Sequence, residues 1–490
     1  MRNLSRDVCL ATGLALLALA APSARAQDTR PNLIVVMVDD LDSESLQTAL
    51  AQGLMPNLKT WVADAGTTFS NSFVTFPLCC PSRATFLTGL YPHNTGVVWN
   101  SGSNGGFAQF DDTSTIATWL QGAGYRTGHV GKYLNGYTNA AYVPPGWTDW
   151  QGLVDPTTYC MYDYTVSDNG VAVNYGSAPA DYQTDVLRQR ALDFVNESEA
   201  QDASPFFLVV TPLAPHLESS CQATTVRAAP RHEGTVNLPL PQPVSFNEAD
   251  MSDKPLWMRA LPLVDVAQTQ QIYNDRLEAL RAVDDLVGAL IQALATNGEM
   301  ARTALAFTSD NGYQLGRHRW SSKVVQYEES IRVPLLLRPT GGGVARTLSQ
   351  LVINNDLAPT LAAAAGVVPG LTVDGRPLQP LLDGSATSWR KRFLVEHPAT
   401  GENFPVPPYL AVRTASSATG APLCYGQTYN DAGTAVTARE LYDLTLDPYQ
   451  VSSLHNDNSP LRVAQRQALA QHLQNLRTCG GGTCQTFEDQ

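Results

Sequence analysis

Two carboxylates stand side by side at Asp39-Asp40, directly after the apolar run 33–38, and the pair Asp310-Asn311 follows a second apolar run at 304–307. Four hard oxygen side chains of this kind suit Ca²⁺, or less readily Mg²⁺, in preference to zinc, which more often recruits His or Cys. Asp-Asp after a strand is by itself an ordinary loop start or N-cap, and only the second pair makes the set a metal-site candidate. His216 follows a third apolar run, 206–210, inside Ala214-Pro215-His216, where an imidazole can exchange a proton with a substrate. Cys79 opens the run Cys79-Cys80-Pro81-Ser82-Arg83-Ala84-Thr85-Phe86-Leu87-Thr88-Gly89. Adjacent cysteines alone would indicate a structural disulfide or part of a metal clip. Pro81, however, is welcome in the first turn of a helix, and such a helix would turn its positive end and free N–H groups toward an anion beside Arg83.

The eleven-residue run from Cys79 resembles the signature of type I sulfatases. The resemblance implies that a formylglycine-generating maturation enzyme oxidises Cys79, and that the hydrated aldehyde attacks sulfate esters. A sulfate ester is anionic and tetrahedral, so its hydrolysis needs a cation on the oxygens, an in-line nucleophile and an acid for the leaving alcohol. By the same resemblance, Asp39, Asp40, Asp310 and Asn311 hold calcium together with the formylglycine oxygen at Cys79. Arg83 binds the anion or the hydrated aldehyde. Lys132, in Gly131-Lys132-Tyr133-Leu134-Asn135-Gly136, contacts nucleophile and sulfate, and His216 donates to the bridging oxygen. Lys323, thirteen residues after Asp310, binds sulfate and stabilises the leaving oxygen.

One position departs from many arylsulfatases: where they carry a histidine that collapses the sulfated intermediate, this chain has Leu134, with Asn135 a substitute contact. Lys-Tyr-Leu-Asn and Cys-Cys-Pro-Ser-Arg instead resemble the glucosamine-6-sulfatase branch, as do Tyr162-Asp163-Tyr164-Thr165-Val166 and Asp181-Tyr182-Gln183-Thr184-Asp185. The implied activity is that of a sulfuric ester hydrolase acting on sulfated carbohydrates such as 6-O-sulfated glucosamine. Two other readings are a phosphate or phosphonate monoester hydrolase of the same superfamily and a catalytically silent protein that binds sulfated glycans. The extra His and Asp ligands of the two-zinc phosphatases are not apparent, and every residue whose loss would mark a silent protein is present.

These residues need a scaffold that brings distant positions to one crevice. Short continuous apolar runs ending in polar turns read as strands covered on both faces, and the three- and four-residue steps of Ile272, Leu277, Leu280, Val283, Val287, Leu290 and Leu294 read as a helix closed by Asn297-Gly298. Strands alternating with helices predict an α/β, doubly wound, mostly parallel sheet, in which ligands sit beyond the carboxyl ends of the strands. The family resemblance makes that fold alkaline-phosphatase-like. From about Lys391 the pattern changes to short strands at 392–396, 409–413 and 440–444 and a helix over 461–476, predicting a smaller α+β domain with an antiparallel sheet. The expected division is therefore 27–390 and 391–490, and 217–264 reads as an irregular surface excursion.

Composition narrows the partners. Only 16% of the 490 residues are charged, the net charge is −13 and no long like-charge run occurs, which argues against a nucleic-acid partner. Residues 1–26 read as a secretory signal: Arg2 and Arg6, an apolar core too short to span a bilayer, and Ala24-Arg25-Ala26 as the cleavage site. The mature protein is thus expected to be exported, periplasmic or secreted, without a membrane span. With Cys9 lost and Cys79 reserved for chemistry, Cys80, Cys160, Cys221, Cys424, Cys479 and Cys484 remain, enough for three disulfides, of which Cys479–Cys484 is the plausible local one.

Overall fold

The computed structural model of the chain describes residues 28–201, 204–219, 221, 225–399, 405–416 and 420–490; the signal expected at 1–26 lies outside them. Sixteen strands are present among the described residues. In chain order they are β1 (Asn32–Val38), β2 (Thr67–Phe69), β3 (Ser72–Phe73), β4 (Arg126–Gly131), β5 (Asp149–Leu153), β6 (Thr165–Asp168), β7 (Val171–Asn174) and β8 (Phe206–Thr211). They continue with β9 (Thr303–Ser309), β10 (Leu335–Arg338), β11 (Arg346–Leu348), β12 (Val352–Ile353), β13 (Arg392–His397), β14 (Tyr409–Thr414), β15 (Leu423–Tyr429) and β16 (Val436–Asp443). The main sheet has ten strands in the order β11-β2-β10-β9-β1-β8-β4-β5-β6-β7. Its centre, β9-β1-β8-β4-β5, is parallel; β10 and β6 are reversed, and β2, β11 and β7 beyond them return to the central direction. The expectation of a mostly parallel sheet therefore holds, since only β10 and β6 run against the direction of the other eight strands.

Parallel strands need both faces covered, and β1 meets that need without alternation of polar residues. Ile34, Val36 and Val38 enter one buried cluster, while Leu33, Val35 and Met37 enter the other. Five helices pack around the sheet and the site: α1 (Ser43–Ala51), α2 (Cys79–Thr88), α3 (Gln183–Gln201), α4 (Val266–Thr296) and α5 (Leu357–Ala364). The stripe Leu277, Leu280, Val283, Val287, Leu290 and Leu294 of α4 fills the first cluster, and Ala84, Phe86 and Leu87 of α2 fill the second. Asp265 caps α4 by accepting from the Gln268 N–H at 2.9 Å. Its other end is Asn297 followed by Gly298 at φ 79°, the stop expected from the sequence.

The four-stranded antiparallel sheet β13-β14-β15-β16 forms the C-terminal domain, completed by α6 (Pro460–Leu476) and α7 (Gly482–Asp489). Strand β15 carries little polar/apolar alternation and was not expected from the sequence, because both its neighbours and α6 bury it. Arg390, fully buried, joins this region to the large sheet by donating to both Asp356 carboxylate oxygens and to Glu488 of α7.

Two disulfides are present among the described residues, Cys160–Cys221 and Cys479–Cys484, whereas Cys79, Cys80 and Cys424 are free. The third expected bridge does not form because Cys80 lies in the cluster under α2 and Cys424 in the core of the C-terminal sheet.

His93 ties the two regions together, its Nδ1 at 2.9 Å from Glu396 Oε1 and its Nε2 at 3.1 Å from the Cys479 carbonyl. Burial draws its pKa down, but the Glu396 carboxylate outweighs burial and raises it from 6.5 to about 9. A raised folded-state value means that the contact stabilises fully below pH 6.5 and is lost as pH rises through 9. His93→Gln should destabilise by up to about 3 kcal/mol at pH 6 and by almost nothing at pH 10. Urea midpoints of the two proteins at both pH values check this; a pH-independent gap would refute it.

Candidate active site

The four central parallel strands end in register, with Val38 opposite Ser309 and Gly131 opposite Thr211. Just past those ends come Asp39-Asp40, Asp310-Asn311, Lys132 and the loop to His216. The loops are stitched to one another: Leu41 N–H donates to Ser309 Oγ at 2.9 Å, Asp310 N–H to the Val38 carbonyl at 3.2 Å, and Asp40 N–H to Asp310 Oδ1 at 3.1 Å. Asp40 has φ 65°, a left-handed conformation that Asp tolerates better than most residues. Arg276, buried on α4, donates to the carbonyls of Asp40 and Pro215 and so fixes two of these loops from below. Nothing in its sequence context marks it, since it sits in an amphipathic helix like any surface arginine.

Cys79 occupies the first position of α2, whose ten residues are all buried and whose end is Gly89 at φ 74°. Its Sγ lies 3.5 Å from Asp39 Oδ1 and 2.9 Å from Lys323 Nζ. Burial first, and the Asp39 charge second, push the thiol pKa up to about 12. A thiol so held stays protonated at neutral pH and is a poor nucleophile as it stands.

Arg83, one turn into α2, divides its guanidinium among three acceptors: Nε donates to Asp310 Oδ2 at 2.8 Å, Nη1 to the Lys132 carbonyl at 2.7 Å and Nη2 to Asp39 Oδ2 at 3.3 Å. Three of its five N–H groups thus brace two carboxylates and the Lys132 carbonyl around the position of Cys79. Lys132 Nζ bonds Asp39 Oδ2, and Lys323 Nζ bonds Asp40 Oδ1. The charges around Asp39 hold it well below the usual carboxylate range despite burial, while burial and the neighbouring Asp39 push Asp310 up. The proton of the Arg83–Asp310 pair nevertheless stays on the guanidinium, the far stronger base.

His216 donates from Nδ1 to the Leu217 carbonyl at 2.5 Å, leaving Nε2 3.4 Å from Asp40 Oδ2; burial lowers its pKa. Its side chain and that of Lys323 are 14% and 10% exposed, against 3% or less for Arg83, Lys132, Asp39 and Asp40, so the site opens on the side of His216 and Lys323. Lys323 follows a loop with left-handed Leu315, His318 and Arg319 and precedes Val324 at φ 70°, an uncommon conformation for a β-branched residue that strain at a site can explain. His318 itself serves structure: its Nδ1 bonds Glu248 Oε2 at 2.6 Å and its ring stacks on Tyr327.

One ligand atom each from Asp39, Asp40, Cys79 and His216 falls within 4.8 Å of the others, a set able to hold a cation. Asp310 and Asn311 adjoin it, and Asn311 Oδ1 is buried without a hydrogen-bond partner while its Nδ2 donates to Asp40 Oδ1 at 2.6 Å. An unpaired buried carbonyl oxygen among carboxylates fits a hard divalent cation. Of the expected set, Asp39, Asp40 and Cys79 fall in this group together with His216, and Asp310 and Asn311 lie beside it.

Leu134, where many arylsulfatases carry a histidine, is buried in the second hydrophobic cluster and has no basic group to offer. Asn135 donates from Nδ2 to the hydroxyl of Tyr159. No sequence pattern marks Tyr159; its only signal is its place next to Cys160.

Residues 31–367 match the Sulfatase family, and residues 316–478 match the family described as N-sulphoglucosamine sulphohydrolase, C-terminal. The chain belongs to the sulfatase family. It is 32% identical to an arylsulfatase of Volvox carteri, over 97% of this chain and 79% of that one. It is also 32% identical to the N-acetylglucosamine-6-sulfatase of Capra hircus, over 96% and 87%. Among solved structures, BT4656, determined in complex with its substrate D-glucosamine-2-N,6-O-disulfate, superposes with a TM-score of 0.76 at 23% identity, covering 94% of this chain and 99% of that one. The sulfatase is accordingly a sulfuric ester hydrolase with the family's two-part fold.

Arg83→Met removes the one fork shared by Asp39 and Asp310. Taking one partner from a buried charge pair costs about 3–5 kcal/mol. The expected result is a clear fall in melting temperature, measured by calorimetry. Arg83→Lys should recover only part of it, because a single ammonium cannot reproduce the three-way contact.

Proposed function

We propose that the sulfatase hydrolyses sulfate esters with a formylglycine made from Cys79 and with calcium. The observation that carries this reading is the position of Cys79: first residue of a buried helix, 2.9 Å from Lys323 Nζ, beside Asp39, and with a thiol too weakly acidic to serve as a thiolate. Its Sγ marks where an oxygen of the hydrated aldehyde would sit after conversion by a formylglycine-generating enzyme. Asp39, Asp40, Asp310 and Asn311, with residue 79, would hold Ca²⁺, and the hard oxygen donors support it over softer metals. When bound, the ion polarises sulfate oxygens, and the hydrate supplies an oxygen nucleophile whose second hydroxyl permits elimination.

The chain's own groups act around that centre. Lys132 and Lys323 present ammonium groups to the anion and, with the N-terminus of α2, offset charge that builds on its oxygens. His216 has Nδ1–H committed to Leu217, so Nε2 is the nitrogen that can exchange a proton with the bridging oxygen. Arg83 keeps the two deepest carboxylates ionised and in place.

The likeness to N-acetylglucosamine-6-sulfatases favours 6-O-sulfated glucosamine units of a sulfated carbohydrate as the substrate. The two disulfides suit an oxidising compartment and so an exported protein, periplasmic or secreted. Among the described residues no helix is long and apolar enough to cross a membrane.

Mass spectrometry of the peptide ending at Arg83, from the native source, should find an aldehyde at position 79; an unmodified thiol there contradicts the reading. Matched sulfate and phosphate esters should be cleaved with a strong preference for sulfate. Among sulfated sugars the 6-O-sulfated glucosamine should turn over fastest, and preference for another position would redirect the substrate assignment while leaving the chemistry intact.

A further inference from the structure

Two groups that converge on the site, Lys132 and His216, share one neighbour that no sequence pattern singled out. The Lys132 ammonium lies over the ring of Tyr159, 4.6 Å from its centroid, and the His216 ring packs against the same residue at a centroid separation of 5.2 Å. Tyr159 is held in turn from three directions. Its hydroxyl accepts from Asn135 Nδ2, and its carbonyl accepts from Ser219 N–H at 3.3 Å. The carbonyls on either side of it, Thr158 and Cys160, both accept from Gln183 Nε2, at 2.9 and 2.8 Å. The Cys160–Cys221 disulfide then joins the residue after Tyr159 to the loop that carries His216.

An ammonium over an aromatic face in a site with little water is attracted to the ring and loses freedom to swing away. Lys132 also bonds Asp39 Oδ2, so the ammonium is held between the carboxylate on one side and the ring on the other. We propose that Tyr159 is a positioning residue for oxyanion binding: its ring fixes Lys132 and His216 relative to each other. Asn135, Gln183 and the disulfide-linked loop keep the ring in place. The inference rests on the reading of Lys132 as a sulfate ligand. It also gives Asn135 and the block around Gln183 a physical role, that of bracing the aromatic ring.

Binding of inorganic sulfate to the full-length, aldehyde-bearing, calcium-loaded protein, followed by titration calorimetry, tests it. Tyr159→Leu removes the ring and should weaken sulfate binding about tenfold, with the melting temperature and aldehyde content unchanged. Tyr159→Phe keeps the ring and should stay within about threefold of wild type. Tyr159→Met, which fills more of the same space, replaces the leucine variant if that variant is recovered unfolded, and the same tenfold loss is expected. Wild-type affinity in the ring-less variant overturns the proposal, and so does a phenylalanine variant as weak as the ring-less one. The sulfatase reading is judged separately, by whether the wild type cleaves sulfate esters faster than phosphate esters. A wild type that prefers phosphate sinks that reading, while the ratios of sulfate affinity still decide Tyr159; a wild type that binds no sulfate overturns the inference itself.

Discussion

Three carboxylates, Asp39, Asp40 and Asp310, share a nearly dry crevice with three fixed cations, Arg83, Lys132 and Lys323. Neither set could be buried without the other, because a lone ion taken out of water loses several kcal/mol of hydration free energy that only close, well-directed partners restore. This mutual neutralisation governs the rest of the site. It explains why Arg83 faces inward from α2, why Lys323 is delivered by a loop with several left-handed residues, and why the Cys79 thiol is kept neutral among so many charges. The same packing leaves only His216 and Lys323 partly open to solvent, so a sulfate ester would meet the two of them first.

The sheet supplies the precision that this arrangement needs. Parallel strands β9, β1, β8 and β4 end at the same level, so residues more than 270 positions apart, such as Asp39 and Asp310, become neighbours without any loop having to travel far. Helix α2 then brings Cys79 to the end of the same strands, with its N-terminus beside Asp39 and Lys323. Asp39, Asp40, Asp310 and Asn311 directly follow the strand ends and Cys79 opens a helix, while the residues nearest solvent come from longer loops. A disulfide and a network of backbone acceptors stiffen the loop of Tyr159, which lies against both Lys132 and His216.

Much of this was legible in the chain itself. Apolar runs followed by Asp39, Asp310 and His216 announced strand ends, and Cys79 to Gly89 announced the helix and its chemistry, because those features depend on local order: period, turn residues and fixed spacing. What the sequence could not disclose is which partner each charged group would choose. That Arg83 braces Asp39 and Asp310 is decided by the burial of those carboxylates, which requires a cation. Cys80 and Cys424 were available for a disulfide by count, and lie in separate cores. Tyr159 and Arg276 carry no motif, and the block that holds Gln183 did not reveal its contact, since these roles come from contacts across loops that have no common local pattern.

The sequence by itself thus determined the kind of chemistry, the strand-and-helix scaffold and the residues at the strand ends, all properties of short segments read in order. The tertiary structure alone decided the pairing of charges, the paths of the loops, the disulfide between Cys160 and Cys221 and the aromatic floor under Lys132. The physical reason is that burial and electrostatic compensation depend on which groups meet in space. In this fold the groups that meet lie far apart in the chain.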